Sequence, residues 1–497
     1  MSGSVDTGET STVNIDDVKL GQCYTIGHWQ PIVSADGTQP LYNPATGEVL
    51  AQAPLAGAED VNNALVAAKE ADIEWRRSNP VARAAILGRI ADGFSARREY
   101  LIALSTLNNG KVRAEATIDV DDAIATYRYY AAAARNLNPL EALDAIDEAH
   151  KLYRRHEGVG VCSLIVPWNF PMVTTAWKVA PALAAGCCVV LKPSEVTLLP
   201  ELVLGDIASA AGVPAGVLNI VPGAAAAGQA MVANKRVRKV SFTGSNAVGE
   251  KVMQNAATNM QKISLELGGK SPIVVFGDVD IDWAVDQIMA GIFFNAGQMC
   301  SATSRLIVAE SIADELYANL RQATEALRVG PASAADSDMG PLVSRVQFDR
   351  VGEYMAVAEQ EGLNCLTGGH PLERAGFFVA PTIYTDVPAT SRLWQEEIFG
   401  PVLVSSRFRS EEQAIQQAND TRFGLAATVL SKDTQRGWRM MAAIDAGTQW
   451  LNDYQVAPPM AGWGGHKHSG IGRELGMEGL QAYQETKYLI VPNGAEP

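Results

Sequence analysis

Short apolar runs alternate with helical patterns through the middle of the chain. The runs lie at 161–166, 187–191, 217–221, 239–242 and 262–265, and helical patterns lie between them at 172–185, 200–211, 225–233 and 247–257. Runs this short and this apolar are typical of strands buried on both faces of a parallel sheet. The pattern predicts an α/β fold with an open parallel sheet, helices on both sides, and ligands bound beyond the carboxyl ends of the strands.

The flanking segments carry patterns of their own. Short strands are predicted at 23–31 and 40–49, with turns at Asp36-Gly37 and at 44–47, and a helical region is predicted at 59–134. Residues 138–157 lack a helical period, which predicts an extended excursion from the main body. A second α/β domain is predicted after about Leu267, with strands at 272–276, 306–309, 402–408, 426–430 and 449–451.

Composition and charge narrow the function classes. The 497 residues are 47% hydrophobic and 19% charged, which predicts a globular protein of at least two domains. The net charge of -15 argues against binding to nucleic acid or to an anionic membrane. The chain starts with polar and acidic residues and has no apolar run of ~18 residues, so we expect a cytoplasmic protein without a signal peptide or membrane span. Six cysteines without a C-x-x-C pair argue against a disulfide scaffold and against a metal site.

Cys300 is the candidate nucleophile. An apolar segment precedes it and is broken by Asn295, Gly297 and Gln298. A cysteine just past such a break is accessible to a ligand, and a thiolate is both a strong nucleophile and a good leaving group. These properties suit attack on a carbonyl and later release of an acyl group. The simpler interpretation is a small buried hydrophobic residue.

Asn169 and Glu266 each follow a predicted strand of the open sheet. The Asn169 amide, in the segment 167–171, would lie at the ligand-binding edge and could donate to the alkoxide that forms when an aldehyde is attacked. Glu266, which precedes Gly268-Gly269, could project a carboxylate into a cleft. Taken singly, Asn169 is also explained as a turn residue between prolines and Glu266 as a solvated surface residue.

Two further segments predict nucleotide binding. Residues 242–249 read as a strand, a glycine-rich turn and a helix, so that Gly244 and Ser245 lie where backbone N–H groups bind phosphate. Lys192 and Glu195 end the second strand, where a carboxylate can accept hydrogen bonds from both ribose hydroxyls. The same carboxylate would repel a 2′-phosphate, which favours NAD and leaves NADP possible.

Together the motifs strongly resemble the NAD(P)-dependent aldehyde dehydrogenase superfamily over about residues 20–490. They are PWNFP at 167–171, KPSE at 192–195, FTGS at 242–245, ELGGKSP at 266–272, FNAGQMCSA at 294–302, EEIFGPV at 396–402 and SGIGRELG at 469–476. The resemblance implies a Rossmann-type cofactor domain at 1–137 and 158–266, a catalytic domain at 267–480, and an oligomerisation flap at 138–157 and 481–497. It also implies a homodimer or homotetramer.

The resemblance assigns roles to individual residues. Cys300 would attack the aldehyde to form a thiohemiacetal, with the Asn169 amide and the Cys300 backbone N–H as the oxyanion hole. Loss of hydride to the nicotinamide would leave a thioester, and Glu266 would activate the water that hydrolyses it. Lys178 and Glu474 match a proton relay proposed in some members. The implied cofactor contacts are Trp168, Lys192, Glu195, Gly223, Ser245, Glu397 and Phe399.

The substrate pocket is similar to that of betaine-aldehyde and aminoaldehyde dehydrogenases. The matching aromatic positions are Phe170, Trp177, Phe294 and Trp463. Aromatic faces stabilise cations, which predicts a cationic aldehyde. Two of the positions are Phe where Tyr and Trp are frequent, so an apolar tunnel for aliphatic or aromatic aldehydes is the alternative. No arginine in these motifs would pair with the carboxylate of a semialdehyde.

The motifs also bear on three other functions. A non-catalytic relative with the same fold is disfavoured because Cys300 and Glu266 are both present. An acylating enzyme that uses coenzyme A is disfavoured because such members of the superfamily usually lack the glutamate. Esterase activity of the same thiol would be a side reaction that needs no cofactor.

Overall fold

The computed structural model describes residues 4–5, 13–144, 147–453 and 455–494. The outermost ends of the predicted cofactor domain and flap, and residues 145–146 within the flap, lie outside this part. No helix in the described part is both long and apolar enough to cross a lipid bilayer.

The first sheet has eight strands, and its five central strands are the parallel strands that the sequence predicts. In spatial order the strands are Gly470–Ile471, Lys262–Glu266, Val237–Thr243, Val161–Ile165, Cys188–Lys192, Leu218–Ile220, Gln22–Thr25 and His28–Pro31. The helices that connect the central strands are Pro171–Ala185, Leu198–Ala210, Ala225–Ala233 and Asn246–Thr258. Antiparallel strands flank the five parallel strands on both sides of the sheet. The sequence did not predict the edge strand Gly470–Ile471.

Four helices and a hairpin precede this sheet. The helices Ala58–Arg77, Pro80–Ala96, Arg98–Asn109 and Arg113–Arg135 confirm the predicted helical region. The hairpin strands are Ala35–Tyr42 and Val49–Ala56, joined by the turn predicted at 44–47. The predicted turn at Asp36-Gly37 is wrong, because both residues lie inside the first hairpin strand. The pairing register shifts there and Gly37 has a φ of 85°, so an irregularity in the strand accounts for the turn-like residues.

The second sheet has seven strands. In spatial order they are Asn364–Thr367, Thr382–Thr385, Val402–Phe408, Arg305–Ala309, Pro272–Val275, Ala426–Leu430 and Thr448–Leu451. Its helices are Ile281–Phe293, Ala313–Ala326, Arg345–Gln360, Arg392–Gln395, Glu411–Asn419 and Thr434–Ala443. The first two strands and the helix Arg345–Gln360 were not predicted. The edge strand at Asn364 is short and partly exposed, so it lacks the apolar run by which buried parallel strands are recognised.

The predicted extended excursion forms a third, small sheet. Leu140–Ala142 and Gln484–Pro492 pair on either side of His150–Gly158. Tyr488 lies opposite Arg154, so the C-terminal strand joins the excursion as the resemblance implied. The remaining short elements are the strands Ser4–Val5, Val13–Asn14, Phe423–Gly424 and His466–Lys467, the 3-10 turns Ile15–Asp17 and Phe294–Gly297, and the helix Gly476–Gln481.

Two hydrophobic cores support the two large sheets. The core of the first sheet includes Val189, and the core of the second sheet includes Ile307. Trp463, Leu475 and Leu480 pack into the first core although they follow the second sheet in the chain. The late segment therefore returns to the first sheet.

Candidate active site

A cavity of about 570 Å³ lies between the two sheets. Residues at or just after strand ends of the first sheet, including Asn169, Gly244 and Glu266, meet Cys300 from the other side. This position beyond the carboxyl ends of parallel strands is the one that the open-sheet topology predicts for a ligand. The cavity brings together three of the five predicted catalytic residues, five of the eight predicted cofactor residues, and all four predicted pocket aromatics.

Cys300 sits half-buried at the end of a strained loop. The helix Ile281–Phe293 ends where Asn295, Ala296 and Gly297 adopt left-handed φ values of 51°, 52° and 71°. Burial raises the pKa of the Cys300 thiol to about 12, and the carboxylates of Glu266 and Glu397 act in the same direction. A thiol in this environment needs a proton acceptor or a nearby positive charge before it can act as a nucleophile.

Asn169 is buried and faces the loop that carries Cys300. Its Nδ2 donates to the Gln298 carbonyl oxygen at 3.0 Å. Since a primary amide carries two hydrogens, this bond leaves a second donor on the same nitrogen. The Asn169 carbonyl oxygen accepts hydrogen bonds from Lys111 Nζ at 2.9 Å and from Asn295 Nδ2 at 3.1 Å, which fixes the backbone of this residue. The amide is therefore held beside the nucleophile loop.

Glu266 is a buried carboxyl group at the end of its strand. Only 4% of the residue is exposed, which excludes a solvated surface glutamate. Neither carboxyl oxygen has a hydrogen-bond partner among the described residues. Burial raises the pKa of Glu266 well above its ordinary value, the neighbouring Glu474 raises it further, and Lys178 opposes both effects. The group thus combines a high proton affinity with free acceptor atoms in the wall of the cavity.

Lys178 and Glu474 form a buried ion pair behind Glu266 and do not line the cavity themselves. Ser241 Oγ donates to the same Glu474 oxygen at 2.7 Å, and Lys178 Nζ lies 3.1 Å from that hydroxyl. Both ions act electrostatically on Glu266. The pair is placed to influence the charge of Glu266 without direct contact with a ligand in the cavity.

Five of the predicted cofactor residues line the cavity. They are Trp168, Gly244, Ser245, Glu397 and Phe399. The Trp168 and Phe399 rings meet edge to face with their centroids 5.2 Å apart. Glu397 Oε1 accepts a hydrogen bond from the Gly269 N–H at 2.9 Å, which positions the carboxylate across the junction between the two sheets.

The helix Asn246–Thr258 starts at this cavity. Its N-cap residue, Ser245, makes no side-chain hydrogen bond to the first turn. The Val248 N–H donates to the Ser245 carbonyl oxygen at 3.2 Å, which leaves the N–H groups of Asn246 and Ala247 for an anionic group, as helix N-termini favour. A Cβ atom at Gly244 would lie 2.6 Å from the Phe242 ring, so any other residue at this turn would require the ring to shift. These features fit a dinucleotide phosphate.

Lys192, Glu195 and Gly223 form a separate cluster outside the cavity lining. Lys192 Nζ donates to Glu195 Oε2 at 3.0 Å and to the Gly223 carbonyl oxygen at 2.7 Å. A Cβ atom at Gly223 would collide with the Ala227 side chain, so the chain approaches the next helix too closely for any other residue. The cluster lies at the end of a central strand, where it could hold the far end of a dinucleotide.

The four predicted aromatic residues line the cavity as two pairs of rings. Phe170 and Phe294 stack with an interplanar angle of 11° and centroids 6.2 Å apart. Trp177 and Trp463 lie 5.4 Å apart, and Trp450, which sequence reasoning missed, packs against Trp463 at 6.2 Å. The tryptophans therefore form one continuous aromatic surface.

Charged residues from the helix Arg113–Arg135 also reach the cavity, and sequence reasoning missed them. Asp119 is buried and accepts hydrogen bonds from Lys111 Nζ and from the Val173 N–H. Asp122 lines the mouth of the cavity, where desolvation and the charges of Asp119 and Asp121 raise its pKa to about 6. The three-residue spacing of Asp119 and Asp122 places them on one helix face, but nothing in the sequence shows what that face meets.

Lys111 is another residue that sequence reasoning missed. Its Nζ lies 4.2 Å from the centroid of the Phe170 ring, so one ring face already contacts a cation. Among the described residues no group of three or more His, Cys, Asp and Glu side chains could hold a metal ion.

The sequence pattern of the aldehyde dehydrogenase family matches residues 32–489. The chain belongs to this family. It is 42% identical to the peroxisomal aminoaldehyde dehydrogenase 1 of Pisum sativum, over 97% of each chain. It is 39% identical to the chloroplastic betaine aldehyde dehydrogenase of Beta vulgaris, over 96% of this chain and 97% of the relative.

Solved structures of the family have the same fold. A Staphylococcus aureus betaine aldehyde dehydrogenase in complex with NAD+ superposes with a TM-score of 0.94 at 37% identity, over 97% of both chains. Fold class and family therefore agree with the prediction from the motifs.

Proposed function

We propose that this aldehyde dehydrogenase converts an aldehyde to a carboxylic acid through Cys300 and Glu266. The observation that carries the proposal is that Glu266 lines the same cavity as the Cys300 thiol, and that neither of its carboxyl oxygens accepts a hydrogen bond from the described residues. A nucleophile and a base that share one enclosed space can act on the same bound substrate.

Cys300, which is partly exposed, gives its proton to solvent water and attacks the aldehyde carbon as the thiolate. The resulting oxyanion accepts hydrogen bonds from the Asn169 amide and the Cys300 backbone N–H. Bound NAD supplies the acceptor for the hydride that leaves this carbon. The Cys300 thioester that results is hydrolysed by water from which Glu266 removes a proton. Lys178 and Glu474 set the proton affinity of Glu266 through the buried ion pair.

NAD is the proposed cofactor. Gly244, Ser245 and the open first turn after them would hold the phosphates, and Trp168, Glu397 and Phe399 line the approach to Cys300. Lys192, Glu195 and Gly223 would hold the adenosine end, where the Glu195 carboxylate disfavours the 2′-phosphate of NADP. Turnover with NADP is possible, since Glu195 is partly exposed and can rotate away.

The proposed substrate is a cationic aldehyde of the betaine or aminoaldehyde class. Trp177 and Trp463 offer the aromatic surface that binds an ammonium group. Asp122 adds a carboxylate at the mouth of the same cavity. The names of the relatives point to the same class of substrate. The second candidate is an aliphatic or aromatic aldehyde, which the stacked phenyl rings of Phe170 and Phe294 favour.

A panel of aldehydes, assayed by NADH absorbance, separates the two candidates. Betaine aldehyde and 4-aminobutanal are compared with hexanal, phenylacetaldehyde and succinate semialdehyde. We expect the highest kcat/KM for the cationic pair. A higher kcat/KM for hexanal or phenylacetaldehyde would assign the aromatic surface to apolar substrates.

Asp122→Asn tests the charge at the cavity mouth. We expect the KM for 4-aminobutanal to rise about two- to fivefold, as for loss of an exposed charge pair, while the KM for hexanal stays the same. Asp121→Asn is the matched control, because Asp121 is the preceding residue in the helix, pairs with Arg98 and does not line the cavity. An equal effect on both aldehydes would contradict an electrostatic role for Asp122.

Assembly, domain boundaries and location remain predictions. A homodimer or homotetramer is proposed, with the strand Gln484–Pro492 at the edge of the flap sheet and its Tyr488 and Ile490 side chains exposed for contact. The domain division at 267 and the flap at 138–157 and 481–497 are proposed on the same basis. A cytoplasmic location is proposed, although relatives include chloroplastic and peroxisomal proteins.

A further inference from the structure

Glu115 links the first turn of a helix to the loop that carries the nucleophile. It is the third residue of the helix Arg113–Arg135 and is 4% exposed. Its Oε2 accepts a hydrogen bond from the Val112 N–H at 3.1 Å, which caps the helix. Its Oε1 accepts one from the Asn295 N–H at 2.6 Å, which lies 180 residues further along the chain.

A helix cap alone does not require this second bond. Burial raises the pKa of Glu115 to about 7, while the hydrogen bonds from Asn295 and Val112 and the charge of Lys111 oppose the shift. A buried carboxyl group is unfavourable unless its acceptor atoms are used. Both carboxyl oxygens of Glu115 accept a hydrogen bond, and one of these bonds comes from the loop before Cys300.

The loop held by Glu115 has an unfavourable backbone. Asn295, Ala296 and Gly297 are consecutive left-handed residues, a conformation that residues with a Cβ atom rarely adopt. Such a conformation persists only where surrounding contacts impose it. The bond to the Asn295 N–H acts at the first of the three residues, where the chain leaves the preceding helix.

The same loop determines where Asn169 and the nucleophile lie. Asn295 Nδ2 donates to the carbonyl oxygens of Asn169 at 3.1 Å and of Gln298 at 3.2 Å. The Gln298 carbonyl oxygen also accepts the Asn169 side-chain amide. A shift of Asn295 would therefore move the proposed oxyanion donor and the segment before Cys300 together.

We propose that Glu115 is a positioning residue for the acylation step, which holds the Asn295 backbone so that Asn169 and Cys300 keep their mutual geometry. The inference rests on the proposed function of those two residues. Glu115 does not line the cavity, so we expect its effect to be the same for different aldehydes and to leave the affinity for the cofactor unchanged.

Asp60 provides a matched control. It is also a buried carboxylate at the third position of a helix, Ala58–Arg77, and is also 4% exposed. It accepts hydrogen bonds from the backbone N–H groups of Val33 and Ser34, in a segment that does not line the cavity. Asp60→Ala thus removes a comparable capping network without touching the nucleophile loop.

The test compares Glu115→Ala with Asp60→Ala by stopped-flow NADH formation and by NAD titration. Both variants should have a lower melting temperature. Only Glu115→Ala should lose kcat/KM, by about a hundredfold, as for a ~1 Å misplacement of reacting groups. The loss should be equal for 4-aminobutanal and hexanal, with the Kd for NAD unchanged. A kcat/KM equal to that of Asp60→Ala would overturn the proposal.

A second substitution tests whether Glu115 acts on Cys300 through the left-handed loop at 295–297. Ala296→Gly removes the penalty of the left-handed conformation, so adding it to Glu115→Ala should recover part of the lost kcat/KM. No recovery would refute the role of the loop. If Glu115→Ala does not fold, Glu115→Gln and Asp60→Asn give the same comparison.

The rate of Cys300 alkylation by iodoacetamide provides a readout that needs no aldehyde. Glu115→Ala should change this rate and Asp60→Ala should not. If the wild-type chain oxidised no aldehyde, the proposed function would fail, while the alkylation rates would still decide whether Glu115 positions Cys300.

Discussion

Replacement of Glu266 by glutamine separates the two half-reactions of the proposed mechanism. The change keeps the shape of the side chain and removes its ability to accept a proton. Since neither carboxyl oxygen has a partner among the described residues, the amide breaks no hydrogen bond that those residues provide. We therefore expect a folded variant in which acylation of Cys300 proceeds and hydrolysis of the thioester stalls.

The magnitude follows from the role of the residue. A positioned general base contributes about 10²–10⁴-fold to a rate, so steady-state turnover should fall by that factor. Acylation should be preserved, because the Glu266 carboxylate raises the pKa of the Cys300 thiol and its removal makes the thiolate easier to form. The predicted signature is a burst of about one NADH per active site followed by slow turnover.

The assay is stopped-flow NADH absorbance across a range of pH. The pKa of Glu266 is raised well above its ordinary value, so turnover of the wild type should increase with pH as the carboxyl group ionises. In Glu266→Gln this increase of turnover with pH should be absent. Full steady-state turnover in the variant, or an unchanged pH profile, would refute Glu266 as the base.

Stability gives an independent check of the same pKa. A carboxyl group whose pKa is higher in the folded than in the unfolded state stabilises the fold at low pH, and this contribution is lost as pH rises towards the folded pKa. Above the unfolded value of about 4.3 the wild type should lose stability with pH relative to Glu266→Gln. If the difference in melting temperature between the two proteins stayed constant from acid to alkaline pH, the raised pKa would be contradicted.

Two further predictions concern the nucleophile and the ion pair. Cys300→Ala should abolish NADH formation while NAD still binds, as measured by fluorescence titration; retained turnover would exclude Cys300 as the nucleophile. Glu474→Gln should lower the free energy of unfolding by about 3–5 kcal/mol, because it leaves the buried Lys178 ammonium without its carboxylate. Adding Lys178→Met should recover part of this loss, and a double variant less stable than Glu474→Gln would contradict the pairing.

The sequence by itself determined the elements whose signals are local. Buried parallel strands need continuous apolar runs, so the five central strands of the first sheet could be read directly from the pattern. Cys300, Glu266 and Asn169 lie in short motifs at strand or helix ends, where spacing and residue type are enough to suggest chemistry. The edge strands Asn364–Thr367 and Gly470–Ile471 carry no such run, and the sequence did not predict them.

Only the tertiary structure decided what surrounds those residues. The high pKa of Glu266 depends on its burial and on Glu474, more than 200 residues later in the chain. Asp122 reaches the cavity from a helix whose sequence shows no sign of that contact. Glu115 looks like an ordinary helix cap until the fold brings the Asn295 N–H to its second oxygen. Desolvation and charge act through space, so the residues that tune this site are set by packing between segments distant in sequence.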